Sequence, residues 1–394
     1  MANHTAFPSR PKRRLSWSDP GTRSFIYQVL ILGAVGFAVW YLVSNTLYNL
    51  SARNISTGFG FLDREAGFAI GETMVPYTPA DTYARAIGVG LLNTLRVSVI
   101  GIVAATLLGS LLGIARLSKN WLLSRVAGAY VEVIRNVPLL LQLFFWYAII
   151  TENMPGPRQA LSILPGVFVS NRGLTLPSVH GDALDWMAAG LAVAVVAVLV
   201  LAHWARRRHD ATGVAFPLVR VGLLMLAAFP AGGWLLSGGS LSLDIPALQG
   251  FNFRGGITMS PEFTALLLGL VVYTSAFVAE VVRSGIQSVD SGQWEAAGAI
   301  GLSRARVLRL VILPQALRVI IPPMTSQYLN LTKNSSLAVA IGYPDIVSVV
   351  NTTLNQTGQA IEGILIIMAA YLTVSLSISI FMNWYNKRIT LVER

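Results

Sequence analysis

Apolar runs close to twenty residues long recur along this 394-residue chain, and they restrict the fold more than any motif does. A helix rises 1.5 Å per residue, so a run of that length matches the ~30 Å hydrocarbon core of a bilayer. Eight such runs are read, at about 25–43, 91–114, 131–150, 186–204, 216–236, 262–284, 318–344 and 361–383. Inside a bilayer the backbone must satisfy its own polar groups, so the runs predict helices and the chain an all-α polytopic membrane protein. The composition agrees: 54% of residues are hydrophobic and 12% charged, where a soluble domain carries about a quarter charged. The first run, "FIYQVLILGAVGFAVWYLV", reads as a retained span. It exceeds the length of a signal-peptide core, and no A-x-A-like site follows Val43.

The net charge of +11 is explained by topology and needs no nucleic acid. With the N-terminus inside, 19 of the 29 Lys and Arg fall in cytoplasmic segments, six outside and four within spans. That asymmetry predicts cytoplasmic N- and C-termini. The inside set includes Arg206, Arg207 and Arg208, and Arg304, Arg306 and Arg309. There is no cysteine, which excludes disulfides, thiolate metal sites and cysteine nucleophiles. The histidines, His4, His180, His203 and His209, are scattered and sit near no carboxylate pair, so no metal site is expected.

Polar residues within or beside the runs are candidates for a substrate path. Lys333, in "NLTKNSS", is suited to pairing with a carboxylate, and is equally suited to reaching an interface. Asn93, Thr94, Arg96 and Gln142 are further candidates, although such groups also join helices to one another. Pro138 and the pair Pro322–Pro323 mark either broken helices at a pathway or simple kinks. "YVEVIR" and "VAEVVR" repeat an E-V-x-R pattern, with Glu132 and Arg135 in one and Glu280 and Arg283 in the other. Glu and Arg three apart share a helix face. The repeat is therefore either two local ion pairs or a cross-paired gate clasp, Glu132 with Arg283 and Glu280 with Arg135.

Between the sixth and seventh runs lies "QWEAAGAIGLSRARVLRLVILP", too polar to span a membrane. Trp294–Ile300 favours a helix and Gly301 breaks it. Ser303 is placed to cap a second short helix through Leu310, ending before Pro314. The positive-inside reading puts this helix–turn–helix in the cytoplasm. Its pattern of Glu295, Ala296, Ala297, Gly301, Val311, Leu313 and Pro314 resembles the EAA loop of ABC importer permeases. Val311 stands where that family usually has Ile. "GLLNTLRVS", "YVEVIRNVPLLLQL", "AEVVRSGIQSVDSGQWEAAGAIGL" and "ILPQALRVIIPPMTSQYLNLTKNSSL" are similar to permeases for polar amino acids. The resemblance covers about 84–384 and is interrupted at about 155–260, where those permeases have a short connection. The longer form resembles the permeases of general L-amino-acid transporters, with the related glutamate/glutamine/aspartate/asparagine system as the alternative.

The resemblance implies a type I ABC importer fold, with a five-helix core made of runs two, three, six, seven and eight. It implies a cytoplasmic tail at 1–24, a first span with a periplasmic loop at 25–83, and a transmembrane domain at 84–394 whose insertion at about 155–260 adds two peripheral helices. It also implies partners: two ABC ATPase subunits docked on the EAA loop, a second homologous permease, and a periplasmic binding protein that delivers an L-amino acid. The location would be the bacterial inner membrane. No cofactor is expected on this chain, and ATP with Mg would lie on the partner. The residues agree, because a Walker A loop needs Gly-Lys and Lys12, Lys119, Lys333 and Lys387 follow Pro, Ser, Thr and Asn. A stand-alone transporter or channel would leave the cytoplasmic double helix without a purpose. A membrane enzyme would need paired carboxylates, a His cluster or a Ser/Lys dyad, and none is apparent.

Overall fold

The computed structural model describes residues 20–52, 57–181, 183–214, 216–238 and 242–389. Most of the 1–24 tail therefore lies outside the described residues. Helix α1 (Pro20–Ala52) precedes an ordered loop, and α2 (Tyr83–Arg116) opens the core. Next come α3 (Trp121–Asn136) and α4 (Leu139–Ala148), then the inserted pair α5 (Ala183–Thr212) and α6 (Leu218–Leu236). Helix α7 (Pro261–Gln287) leads into two short helices, α8 (Ser291–Ala299) and α9 (Arg304–Val307), and then into α10 (Leu313–Asn334). Helices α11 (Ile346–Thr357) and α12 (Ala360–Ile389) complete the order. Six of the described helical segments are long and apolar enough to cross a membrane, the bent pair α3–α4 makes a seventh, and α6 is a shorter apolar helix.

Helices α2 and α7 form the spine. A Cβ built on Gly109 would stand 2.6 Å from Val278 Cβ and 2.7 Å from the Ser275 carbonyl. One built on Gly113 would stand 2.7 Å from the Ala279 carbonyl. Glycines four apart thus let the two backbones approach as no other residue would allow. This is how helices associate where lipid is as apolar as the side chains. Gly269 takes Leu143 of α4 in the same way, and Gly285 takes Ile320 of α10.

The third run is not one straight span. Val137 is extended (φ −98°, ψ 127°) ahead of Pro138, as a residue preceding proline prefers, and α3 and its continuation meet at 104°. The seventh run is also interrupted. After Asn334 the chain tightens into a 3₁₀ turn over Ser335–Ile341 and reverses at Gly342 (φ +80°). Asp345 then caps α11, its carboxylate accepting from the Ser348 amide at 2.8 Å.

The insertion contains β structure that an all-helical expectation omits. Strands β1 (Leu161–Leu164), β2 (Val167–Ser170) and β3 (Gly173–Leu176) form an antiparallel sheet, completed by β8 (Ile257–Met259). Pairs β4 (Ser178–His180) with β5 (Ser242–Asp244), and β6 (Ala247–Gln249) with β7 (Asn252–Arg254), stand beside it. Gly173 (φ +98°) lies so close to Met259 that a Cβ would meet its carbonyl at 2.0 Å. This sheet is welded to the start of α7. Helices α5 and α6 pack on each other, with Gly190 against Phe229 and Gly233 against Trp186. Only 6% of the apolar stretch of α5, and none of that of α1 or α12, is buried within the chain.

Overpacking the spine tests this account. Gly109→Leu should lower the thermal unfolding midpoint in detergent and the yield from membranes, consistent with a cost of about 1–3 kcal/mol or more. Gly128→Ala, where nothing lies within 4 Å, should leave both unchanged.

Candidate functional site

Two features stand out, a foot beyond one end of the core and a polar groove inside it. The foot begins where Asp290 caps α8 by accepting from the Gly292 amide at 2.6 Å. Helix α8 ends in a left-handed glycine: Gly301 (φ +79°) donates to the Gly298 carbonyl and Leu302 to the Ala297 carbonyl. That paired closure requires positive φ and suits glycine. Ala297, Val307 and Ile312 form a small core beneath, joined by Ile286, Val289, Trp294, Leu302 and Val311. Ala297 and Val311 therefore build the foot and Gly301 shapes its turn. Glu295 and Ala296 are exposed on its surface, as is Leu313.

The second half of the foot departs from the expected helix ending before Pro314. Ser303 is extended at the N-cap position but makes no side-chain cap. After α9 a π-helical turn over Leu308–Ile312 runs straight into α10. Pro314 falls in the first turn of α10, directly after the π turn, and the helix continues through it. Gln315 ties the two halves, donating to the Val311 carbonyl at 3.0 Å and to Gln293 Oε1 at 3.3 Å. Ile300, outside the motif, is 76% exposed at the tip. Its position just before the breaking glycine was the signal for it.

Asn93, Thr94, Arg96 and Gln142 are all engaged within the fold. Gln142 repairs the break at Pro138, its Nε2 donating to the Ile134 and Val137 carbonyls at 2.9 and 3.0 Å. Asn93 is fully buried and donates to the Glu72 and Pro344 carbonyls, both at 2.9 Å. Thr94 donates to the Gly90 carbonyl and accepts from the Ile346 amide. Arg96 pairs with Glu72 at 2.6 Å and lies 4.2 Å above the Phe263 ring. Lys333 is exposed in the last turn of α10, with no ion pair among the described residues.

The cross-paired clasp is not formed within the chain. Glu280 pairs with Arg283 on its own helix and with Arg116 at the end of α2. Arg135 instead sits 5.1 Å above the Phe277 ring, and Glu132 is exposed without an ion pair among the described residues. Arg116 is nearer to Glu280 because the glycine-lined approach of α2 to α7 brings the end of α2 alongside it.

A groove of about 300 Å3 opens between α7 and α10, lined by Tyr273, Thr274, Phe277, Gln327, Asn330 and Asn334. None of the five residues singled out for the path lines it. The lining offers amides, hydroxyls and aromatic faces, and no charged side chain. Its signal was present in the sequence: 327, 330 and 334 fall on one helical face, as do 273 and 277.

Comparison with known proteins gives this geometry its class. The family model for the inner membrane component of binding-protein-dependent transport systems matches residues 211–391, which include α7, the foot and the groove. The putative amino-acid ABC transporter permease protein YhdX of Escherichia coli is 50% identical over 388 residues, covering 98% of this chain and 99% of its own length. The general L-amino acid transport system permease protein AapQ of Rhizobium johnstonii is 47% identical over 400 residues, 99% of this chain and 100% of that one. The glutamate/glutamine/aspartate/asparagine transport system permease protein BztB of Rhodobacter capsulatus is 42% identical over 409 residues, 95% of this chain and 96% of that one. The chain belongs to the amino-acid ABC transporter permeases, and is a multi-pass protein of the inner membrane.

Gln142→Leu should leave the Ile134 and Val137 carbonyls without partners at the break. A loss of about 1–3 kcal/mol is expected, read as a lower unfolding midpoint in nanodiscs. Gln142→Glu, which keeps the length but loses the donor when ionised, should fall at least as far.

Proposed function

We propose that this chain is the translocating permease of an ATP-driven importer that accepts L-amino acids of varied side chain. The observation that carries the substrate range is the groove. Its neutral amides and hydroxyls hydrogen-bond a substrate without selecting for one side-chain charge, which supports a general importer over an acid-selective one. The full-length likeness to AapQ supports the same reading, and that to BztB supports the narrower alternative. The N- and C-termini are cytoplasmic, and so is the foot. Loop 59–82 and the β-sheets face outward, where a binding protein delivers the substrate. The chain pairs with a second, similar permease, binds no cofactor and performs no hydrolysis itself.

The foot supplies the coupling. Its two halves share one buried core and continue without a break into α10, so force applied at Ala296 or Ile300 moves α10 and, through Gly285 and Ile320, α7. Those two helices form the groove. An ATPase subunit that grips the foot thereby changes the shape of the substrate path. Lys333, on the groove helix, is assigned an interfacial role, and its substitution by Met should leave uptake within about twofold of wild type.

Uptake of labelled amino acids by the reconstituted complex, with and without ATP, tests the reading. ATP-independent uptake would overturn it. Competition by acidic, basic and neutral amino acids alike is expected, and competition by aspartate, glutamate and their amides alone would favour the narrower substrate set. Asn330→Leu should reduce uptake about tenfold or more while the ATPase still co-purifies. Ile300→Asp should abolish co-purification of the ATPase while the permease still inserts.

A further inference from the structure

The loop between α1 and α2 is a built structure. Phe61 and Ala66 are buried against Tyr83, Ile87, Ile346 and Val350. The Ala66 amide donates to the Asp81 carbonyl at 2.8 Å and the Gly67 amide to the Pro79 carbonyl at 2.9 Å, which zips the two arms together. The Tyr77 hydroxyl donates to the Phe68 carbonyl at 2.9 Å, and the Gly58 amide donates to the Glu362 carboxylate at 2.6 Å.

Glu72 is its keystone. One carboxylate oxygen pairs with Arg96 of α2 at 2.6 Å, and the other accepts from Ser260 Oγ, ahead of α7, at 2.6 Å. The main-chain carbonyl accepts from Asn93 at 2.9 Å. The two ionised side chains are only 16% and 13% exposed. Desolvating an ion pair returns little net stability, and its best-attested use is to fix one geometry.

The geometry so fixed is an open cup of about 390 Å3 between the loop, the start of α7, the Gly342–Pro344 reversal and the first turns of α11. Ile70 and Val349 give it apolar wall, and Ser260, Ser348 and Thr352 add hydroxyls. Glu262 stands in the lining. Its hydrogen-bond partner is the neutral Tyr147 hydroxyl at 3.2 Å, and among the described residues it has no cationic partner. The cup therefore presents a carboxylate with no cationic side-chain partner, in the first turn of α7, on the face that the importer reading turns toward a binding protein.

We propose that this cup receives a lysine- or arginine-bearing loop of the extracytoplasmic binding protein, with Glu262 as its charge anchor. The inference rests on the importer reading and adds the docking site. The occupant follows from charge complementarity and from the family, whose transport depends on a binding protein. The recess surrounds an incoming cation with the hydroxyls of Ser348 and Thr352 beside the carboxylate, so the pair forms among further hydrogen-bond acceptors. A rigid receptor also loses little entropy on docking.

Affinity of the purified binding protein for the complete transporter in nanodiscs, by a surface-based binding assay, is the test. Glu262→Lys should weaken binding about tenfold or more, and Ser348→Trp, which fills the cup, should do the same. Raising salt should weaken wild-type binding and have less effect on Glu262→Gln. A Lys or Arg to Glu change in the binding protein should restore affinity for Glu262→Lys. Unchanged affinity in both Glu262→Lys and Ser348→Trp, with variants that elute and melt as wild type, would overturn the proposal. So would saturable binding of free labelled amino acid that Glu262→Gln abolishes, since the cup would then be a substrate site. If the wild-type complex binds no binding protein and takes up substrate without ATP, the importer reading itself fails and the docking site with it.

Discussion

At Gly109 and Gly113 the backbones of α2 and α7 come closer than any side chain permits, and the rest of the molecule is arranged around that contact. In a bilayer there is no hydrophobic force to press helices together, so close packing between small residues must hold them. The approach sets Arg116 beside Glu280 at one end. At the other it brings Arg96 within reach of Phe263 and of the loop that carries Glu72. Ion pairs at both ends of the spine follow from its geometry.

The second constraint is that backbone groups within the hydrocarbon must find partners inside the protein. The bend at Pro138 frees carbonyls at Ile134 and Val137, and Gln142 recovers both. The reversal at Gly342 frees amides at the start of α11, and Asp345 and Thr94 take them. A polar side chain at membrane depth can therefore serve the backbone, as Gln142 does with its amide N–H groups. The groove differs because the side chains of Gln327, Asn330 and Asn334 converge on open space.

Much of this was legible in the sequence, and the rest was hidden for identifiable reasons. The long apolar runs announced the helices because hydrophobicity is a local property. The foot was legible because Gly301 and the alternation of small and basic residues are local too. Asn93 and Arg96 read as pathway residues because their partners lie elsewhere: Glu72 is 24 residues from Arg96, and Pro344 is 251 from Asn93. The clasp failed for the same reason, since Arg116 is 164 residues from Glu280. Gln142 serves carbonyls only eight and five residues away, which the break at Pro138 frees. The sheets are not legible in the sequence because their strands are three or four residues long and one of them, β8, is joined to β3 only after two helices intervene. The groove residues are readable from helical spacing, whereas Lys333, between Asn330 and Asn334 in sequence, does not line the groove.

The pairing of β3 with β8 has a structural corollary of its own. Leu176 lies opposite Ile257, so the chain leaves the sheet and returns to it at neighbouring points. Everything between, the α5–α6 hairpin included, is a closed excursion whose two ends already meet. Such a segment behaves as a cassette: it can be gained, exchanged or shortened to a tight turn in a single genetic event, with the register of the remaining strands and the seating of α7 preserved.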